Sequence, residues 1–122
     1  MKKQITKFED LKVWRDSHKL AMDIYLITKK FPKEEMFGII SQIRRSALSV
    51  PTNIVEGFYR HTTKELIQFL YTSRGSSGEV MYHLLVSRDL GYISNDQYLA
   101  LRQRYEYIAM SLSALINSLN KK

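Results

Sequence analysis

The sequence contains no cysteine, and only two of its 122 residues are proline and five are glycine. The absence of cysteine excludes disulfide bonds, zinc-thiolate sites and thiol nucleophiles. Because a secreted domain of this size more often carries disulfides, we expect a reducing compartment. The low proline and glycine content is typical of a compact globular chain rather than of a disordered or fibrous one.

Long hydrophobic runs are also missing. Charged residues interrupt every apolar segment, so none approaches the roughly 18 apolar residues of a membrane span. The first ten residues, MKKQITKFED, are basic but lack the apolar stretch of a signal peptide. We therefore expect a cytoplasmic protein that is not exported.

The charge of the chain is unbalanced. Nineteen lysine and arginine residues stand against 12 aspartate and glutamate residues, which gives a formal net charge of +7 with histidine neutral. A chain of this charge favours an acidic partner, of which nucleic acid is the commonest. The length allows one domain, and we interpret residues 1–7 as its basic N-terminal tail.

Apolar residues recur at alternating spacings of three and four along four segments, which is the period of an amphipathic helix. The segments begin near residues 10, 36, 62 and 95. Their apolar positions are Val13, Leu20, Ile24, Ile27 and Phe31, then Ile40, Ile43, Ala47, Val50, Ile54 and Gly57, then Leu66, Leu70, Ser73, Ser77, Val80, Leu84 and Ser87, and finally Tyr98, Leu101, Tyr105, Ile108, Leu112, Leu115 and Leu119. No segment alternates as a strand does. The sequence predicts an all-α, antiparallel up-down four-helix bundle.

A proline, a run of small residues and the capping residues predict where these helices bend, continue or end. Pro51 lacks a backbone N–H, which predicts a kink just before it or two shorter helices that meet there. The run at 73–78, SRGSSG, has the composition of a loop. The apolar phase continues across it, so we expect one helix whose small residues let a neighbour approach closely. Thr63 and Ser94 are the expected caps of the third and fourth helices, and Gly91 ends the third.

Known catalytic and metal-binding motifs do not fit the chain. The histidines lie at 18, 61 and 83, and Glu79 with His83 has a spacing of four instead of the three of a Glu-x-x-His motif. We interpret that pair as a surface contact one helical turn apart. Ser76 and Ser77 lack the G-x-S-x-G order of a nucleophile elbow, and their GXXG match to KH domains lacks the sheet that a KH domain needs. We predict neither an enzyme nor a metal or cofactor site.

Polar residues form one stripe on the second helix, opposite its apolar positions. The members of this polar stripe are Gln42, Arg45, Ser49, Asn53 and Glu56. A solvated face, a subunit interface and a nucleic-acid-binding surface all remain open as interpretations. We favour an interface in which Arg45 pairs with a carboxylate, such as Glu56 of a neighbouring subunit or of a nearby turn.

Basic residues elsewhere are candidates for contact with phosphate groups. The candidates are Lys2, Lys3, Lys7, Lys12, Arg15, Lys19, Arg44 and Arg60. Three of them share a face of the first helix, Lys12, Arg15 and Lys19. Asp16 and Asp23 each lie four residues after one of these lysines, so i,i+4 pairing neutralises part of the charge.

Further apolar and aromatic residues lie off the principal apolar positions. On the third helix they are Ile67, Tyr71, Met81, Tyr82 and Leu85, and elsewhere they are Phe58, Tyr59 and Tyr107. A third helix with a second apolar face predicts an oligomer.

Several ordered elements of the sequence resemble one known family. They are FEDLKVW at 8–14, FPKEEMFG at 31–38, QIRRSA at 42–47, NIVEG at 53–57 and RDLGYI at 88–93. Together they resemble the small proteins encoded in intervening sequences of bacterial large-subunit ribosomal RNA genes, some of which carry a ribosomal-protein label. This resemblance covers nearly the whole chain and implies a four-helix bundle assembled into a ring-like homopentamer. The chain is similar, more distantly, to the accessory proteins of diversity-generating retroelements, which are basic pentamers implicated in binding nucleic acid and reverse transcriptase.

Charge, periodicity and resemblance together predict a non-enzymatic homo-oligomer that binds nucleic acid, and the resemblance implies that the oligomer is a pentamer. Structured RNA is the expected ligand, and basic side chains are expected to contact its phosphates. The alternative is an oligomeric scaffold that binds another protein and makes no contact with nucleic acid.

Overall fold

Four α-helices account for most of the chain. The structure, a computed structural model, describes residues 5–121. The helices are α1 (Lys12–Thr28), α2 (Ile39–Phe58), α3 (Thr63–Asp89) and α4 (Asn95–Asn120), and single-turn 3-10 helices precede α1 and α2. No strand is present among the described residues, so the prediction of an all-α chain is confirmed. None of the helices within residues 5–121 is long and apolar enough to cross a membrane.

The core consists of side chains from the predicted apolar positions of all four helices. Those buried most completely include Leu20, Ile24, Ile43, Ile54, Leu70, Leu84, Tyr105, Ile108 and Leu112. One position near the end of α4 differs, because Ile116 is 1% exposed whereas the predicted Leu115 is only partly buried. A straight helix drifts by about 20° per seven residues, so after three repeats the buried position moves on by one residue.

α2 and α3 share the most extensive contact in the molecule. Successive contacts pair rising residue numbers on α2 with falling numbers on α3: Ser46 with His83, Ser49 with Ser76, and Val50 with Ser73. This order is the one expected of helices that run in opposite directions. The two helices leave no room for a side chain at Gly57, where an added Cβ would lie 2.9 Å from Cδ1 of Leu66.

Both helices that the sequence left in doubt are continuous. α2 passes through Pro51 without interruption, so two separate helices there are wrong, while a kink stays a prediction. α3 runs through 73–78 as one helix, as the apolar phase predicts. The small residues that face α2 are the serines, whereas Gly75 and Gly78 are exposed with open space beside them.

Side-chain hydrogen bonds begin two of the helices. The Ser94 hydroxyl accepts from the Gln97 N–H at 3.0 Å, and the Gln97 side chain accepts from the Ser94 N–H at 2.8 Å, which confirms the predicted cap of α4. α3 is capped by Thr62 and not by the predicted Thr63, because the extended residue is Thr62 and Thr63 is already helical. Gly91 follows α3 with a φ of 80°, a conformation that glycine adopts without strain.

Candidate nucleic-acid interface

The predicted basic residues of α1 lie beside α4. Lys12, Arg15 and Lys19 are all exposed. Across from them, α4 contributes Gln103, Arg104 and Tyr107 to a groove between the two helices. The i,i+3 and i,i+4 spacing of these α4 residues puts them on one helix face.

This space, which we name the α1–α4 groove, has a volume of about 330 Å³. It is lined by Asp16, Lys19, Leu20, Gln103, Arg104, Tyr107 and Ile108. Leu20 and Ile108 are almost fully buried in the core and form an apolar floor. Tyr107 is 52% exposed. The α1–α4 groove therefore combines an apolar floor, an aromatic ring and a basic rim.

Two carboxylates form ion pairs with two of the cations at the groove. Lys12 Nζ donates to Asp16 Oδ2 at 2.7 Å, a hydrogen bond that raises the pKa of Lys12 and favours its charged form. Asp23, which the spacing predicts as a partner of Lys19, instead pairs with Arg104 of α4 at 3.0 Å. Lys19 is consequently left without a carboxylate partner within residues 5–121.

The remaining basic candidates near the N-terminus lie beside the first 3-10 helix or precede it. Arg15 Nη1 donates to the carbonyl oxygen of Glu9 at 2.8 Å. Lys7 is exposed and precedes the first 3-10 helix. Lys2 and Lys3 lie outside the described residues.

Arg44 and Arg60 lie away from the α1–α4 groove. Arg44 Nε donates to Thr28 Oγ1 at 2.9 Å, Nη2 donates to the Tyr25 carbonyl at 3.3 Å, and the guanidinium lies 4.6 Å from the centre of the Tyr25 ring. These contacts join α2 to the end of α1, so much of the hydrogen-bonding capacity of Arg44 serves the fold. Arg60 forms an exposed pair with Glu56 at 3.3 Å.

The polar stripe of α2 divides into an inner and an outer set. Ser49 contacts α3, since its hydroxyl oxygen lies 2.7 Å from that of Ser76, and Asn53 Nδ2 donates to Ser49 Oγ at 2.9 Å within α2. Glu56 points to solvent with Arg60. These hydrogen bonds give the partly buried Ser49 and Asn53 a structural role inside one chain.

Gln42 and Arg45 are exposed and line a second groove, between α2 and α3, of about 270 Å³. Arg45 forms no ion pair within the described residues, so its pairing with a second subunit stays a prediction. Glu79 and His83 line the same groove but do not form the predicted surface pair, because His83 is only 9% exposed and its Nδ1 lies 3.1 Å from Ser46 Oγ. Burial lowers the pKa of His83, against a smaller opposing effect of Glu79.

The residues predicted for an oligomer face differ in exposure. Ile67 lies in the core and not on an exposed face, since its neighbours on α3 and α4 cover it. Met81 and Leu85 are partly buried against the core. Tyr71 and Tyr82 remain exposed on α3. The exposed part of this surface is therefore aromatic and narrower than the sequence predicts.

Sequence reasoning does not single out Gln103 and Arg104, and it treats Tyr107 only as an aromatic residue outside the core. Their common helix face is readable from their spacing. Which face of α4 meets α1 depends on how each helix is rotated in the bundle, and the apolar pattern fixes that rotation only to within about one residue.

The remaining chemistry of the described residues is sparse. Within residues 5–121 no group of three or more histidine, aspartate and glutamate side chains is placed to hold a metal ion. The Tyr105 hydroxyl is buried without a hydrogen-bond partner among these residues, and burial raises its pKa. The α1–α4 groove therefore carries groups that can bind a ligand: cations, the Tyr107 ring and the Gln103 amide.

Comparison with known proteins shows the family to which this chain belongs. A family model described as 23S rRNA-intervening sequence protein matches residues 9–114. The chain belongs to this family. The resemblance predicted from the sequence is confirmed, while the more distant similarity to retroelement accessory proteins stays a prediction.

A solved structure supports the fold of this family member. A protein of unknown function from the S23 ribosomal protein family of Bacteroides thetaiotaomicron is similar to it with a TM-score of 0.76 and 24% sequence identity. The similarity covers 85% of this chain and 97% of that chain. At this identity the likeness shows the fold alone. The comparison with curated proteins finds no match.

Proposed function

We propose that this 23S rRNA-intervening sequence protein is a homo-oligomer, a pentamer, that binds structured RNA without catalysing a reaction. The observation that carries the proposal is the basic rim of the α1–α4 groove. Lys19 of α1 and Arg104 of α4 line the groove, and Lys12 and Arg15 are exposed on the same helix as Lys19. Exposed cations from two helices on one surface are the arrangement that contacts a phosphate backbone.

The charge balance of this surface supports binding of an anion. Arg104 and the three cations of α1 outnumber Asp16 and Asp23, so the local charge is positive even with both ion pairs formed. The chain as a whole carries +7. In an oligomer the electric fields of the positively charged subunits add, which raises the local concentration of a polyanion and its association rate.

Exposed apolar side chains support the oligomer. Tyr71 and Tyr82 are 40% and 63% exposed on α3, and Leu48 of α2 is 37% exposed. Large contiguous apolar patches mark protein interaction sites, and the proposal is that these side chains form such a patch in the assembled protein. A second copy is the occupant that the family resemblance implies.

The RNA proposal is tested by a salt series. Fluorescence anisotropy of a labelled RNA hairpin is expected to report binding that weakens steeply with salt, with a slope of about −0.7 to −0.9 per neutralised phosphate in log–log form. Replacing Lys12 and Lys19 together by glutamine is expected to lower both affinity and slope. Lys29 and Lys30 of the α1 C-terminal end provide the matched control, since both are exposed and lie outside the groove. Absence of binding at low salt, or equal losses in the two double variants, would contradict the proposal.

The oligomer is tested by light scattering. The mass is expected to correspond to five subunits at micromolar concentration. A monomer mass across concentrations would overturn the oligomer and would weaken the RNA proposal, because one +7 chain produces a much smaller field than a ring of such chains.

A scaffold that binds another protein is the second candidate. The favouring observation is Phe37, which is 97% exposed in the segment before α2, next to Met36 at 46%. Exposed aromatic and methionine side chains are enriched in protein interfaces. A scaffold of this kind is expected to show no affinity for RNA at any salt concentration, so the same salt series separates the two functions.

A further inference from the structure

We infer that the α1–α4 groove binds an unpaired nucleobase, so that the RNA is recognised at a loop or bulge and not along a duplex. The inference rests on the proposed function and narrows its ligand. It is carried by the juxtaposition of the Tyr107 ring and the Gln103 amide with the apolar floor of Leu20 and Ile108.

The lining of the groove matches the surfaces of a base. A nucleobase has two flat apolar faces and a polar edge, and proteins bind unpaired bases by stacking them on aromatic rings and bonding their edges. Tyr107 is half exposed at the side of the groove, and the floor beneath it is aliphatic. Gln103 carries both a hydrogen-bond donor and an acceptor, the combination that base edges require.

The distribution of charge in the α1–α4 groove favours a base over a phosphate as the occupant. The Lys12 ammonium lies over the Tyr107 ring, 5.1 Å from its centre, so a base would stack on the opposite face of the ring, and Lys19 and Arg104 stand at the rim. Asp16 lines the groove itself, so a phosphate placed inside would face a carboxylate. A neutral base avoids this repulsion, while the phosphates on either side of it reach the cations of the rim.

A duplex does not fit this arrangement. In a duplex the base faces are stacked on each other and unavailable to an aromatic side chain. Contacts of a duplex would be restricted to the phosphates and the rim, and such binding would not depend on Tyr107. The dependence of affinity on Tyr107 and on unpaired bases is therefore specific to the inference.

The experiment compares two labelled RNAs of equal length and charge, one a hairpin with an unpaired loop and the other a blunt duplex. Each is titrated with the wild-type chain and with Tyr107→Ala, Tyr107→Phe and Tyr59→Ala. Tyr59 is the matched control, because it is 68% exposed at the end of α2 and outside the groove. Light scattering of each variant is measured in parallel.

The expected result is tighter binding of the hairpin than of the duplex. Tyr107→Ala is expected to weaken hairpin binding about 5- to 150-fold, the effect of losing one base stacked on an aromatic ring, and to leave duplex binding unchanged. Tyr107→Phe keeps the ring and is expected to retain the affinity, as is Tyr59→Ala.

Three outcomes would overturn the inference. Equal binding of both RNAs, unaffected by Tyr107→Ala, would disprove base recognition while leaving RNA binding intact. Dissociation of the oligomer by Tyr107→Ala would show that a second copy covers the groove. Absence of binding to either RNA would instead be a failure of the proposed function, on which the inference depends.

Discussion

The α2–α3 side and the α1–α4 side of the bundle pack in opposite ways. α2 and α3 meet through serines and Gly57, and their contact is the most extensive in the molecule, whereas the contact between α1 and α4 is the sparsest among the adjacent helices. Small side chains let two backbones approach and bond their hydroxyls across the contact. Long charged and aromatic side chains line the space between α1 and α4. The α1–α4 groove thus forms on the side where the helices make the fewest contacts.

Enlarging one residue on each side is expected to give the largest difference in stability. Ser73 is fully buried and donates to the Val50 carbonyl at 2.8 Å. Ser73→Leu overfills the α2–α3 contact and removes this hydrogen bond, so we expect the free energy of unfolding to fall by about 2–4 kcal/mol. Gln103→Leu at the open groove is expected to change it by less than about 0.5 kcal/mol. Equal losses in urea denaturation would contradict the difference between the two sides.

Two glycines of α2 and α3 differ in the space that is available for a side chain. A Cβ at Gly57 would lie 2.9 Å from Leu66 Cδ1 and 3.0 Å from Phe69 Cβ, while a Cβ at Gly75 meets no atom within 4 Å. Gly57→Ala is expected to lower the free energy of unfolding by about 1–2 kcal/mol. Gly75→Ala is expected to raise it by up to about 1 kcal/mol, because alanine favours the helix. Thermal unfolding of both variants decides the matter, and a gain at Gly57 would disprove close approach there.

The α2–α3 contact is also expected to respond to pH through His83. Burial lowers the pKa of His83 below its ordinary value of 6.5, so between the two values the unfolded chain binds more protons than the folded one. Its contribution to stability is therefore complete above pH 6.5 and is lost as the pH falls towards the lowered value. Denaturant titrations at neutral and mildly acidic pH should show this loss in the wild type and in His61→Gln, an exposed control. A loss of the same size in His83→Gln would contradict the assignment to His83.

The smallest effect on stability is expected at the groove, from Asp16→Asn. The Lys12–Asp16 pair is exposed, and pairs of this kind contribute little to folding, so the melting temperature is expected to stay that of the wild type. RNA affinity is expected to rise severalfold, because a carboxylate that repels phosphate has been removed from the groove. Glu34→Gln removes the same charge at an exposed position outside the groove and is expected to leave affinity nearly unchanged.

Local pattern was sufficient to predict the helices but not the groove. The 3.6-residue period placed Ile43, Leu70 and Ile108 in the core, and the continuous phase through 73–78 predicted one long α3. The pairing of Asp23 with Arg104 joins residues far apart in the chain, so the i,i+4 rule assigned Asp23 to Lys19 instead. Such cross-helix pairs depend on the rotation of each helix, which the apolar pattern fixes only to within about one residue.

The assignment of RNA binding to the α1–α4 side is tested most directly by hydrogen–deuterium exchange with and without a hairpin RNA. Binding on this side is expected to slow exchange on RNA addition in peptides from Lys12–Thr28 and from the middle of Asn95–Asn120. Peptides that carry Gln42, Arg45 and Glu79, which line the opposite groove, are expected to exchange at unchanged rates. Protection confined to that opposite groove, or no protection in either pair of helices, would contradict the account.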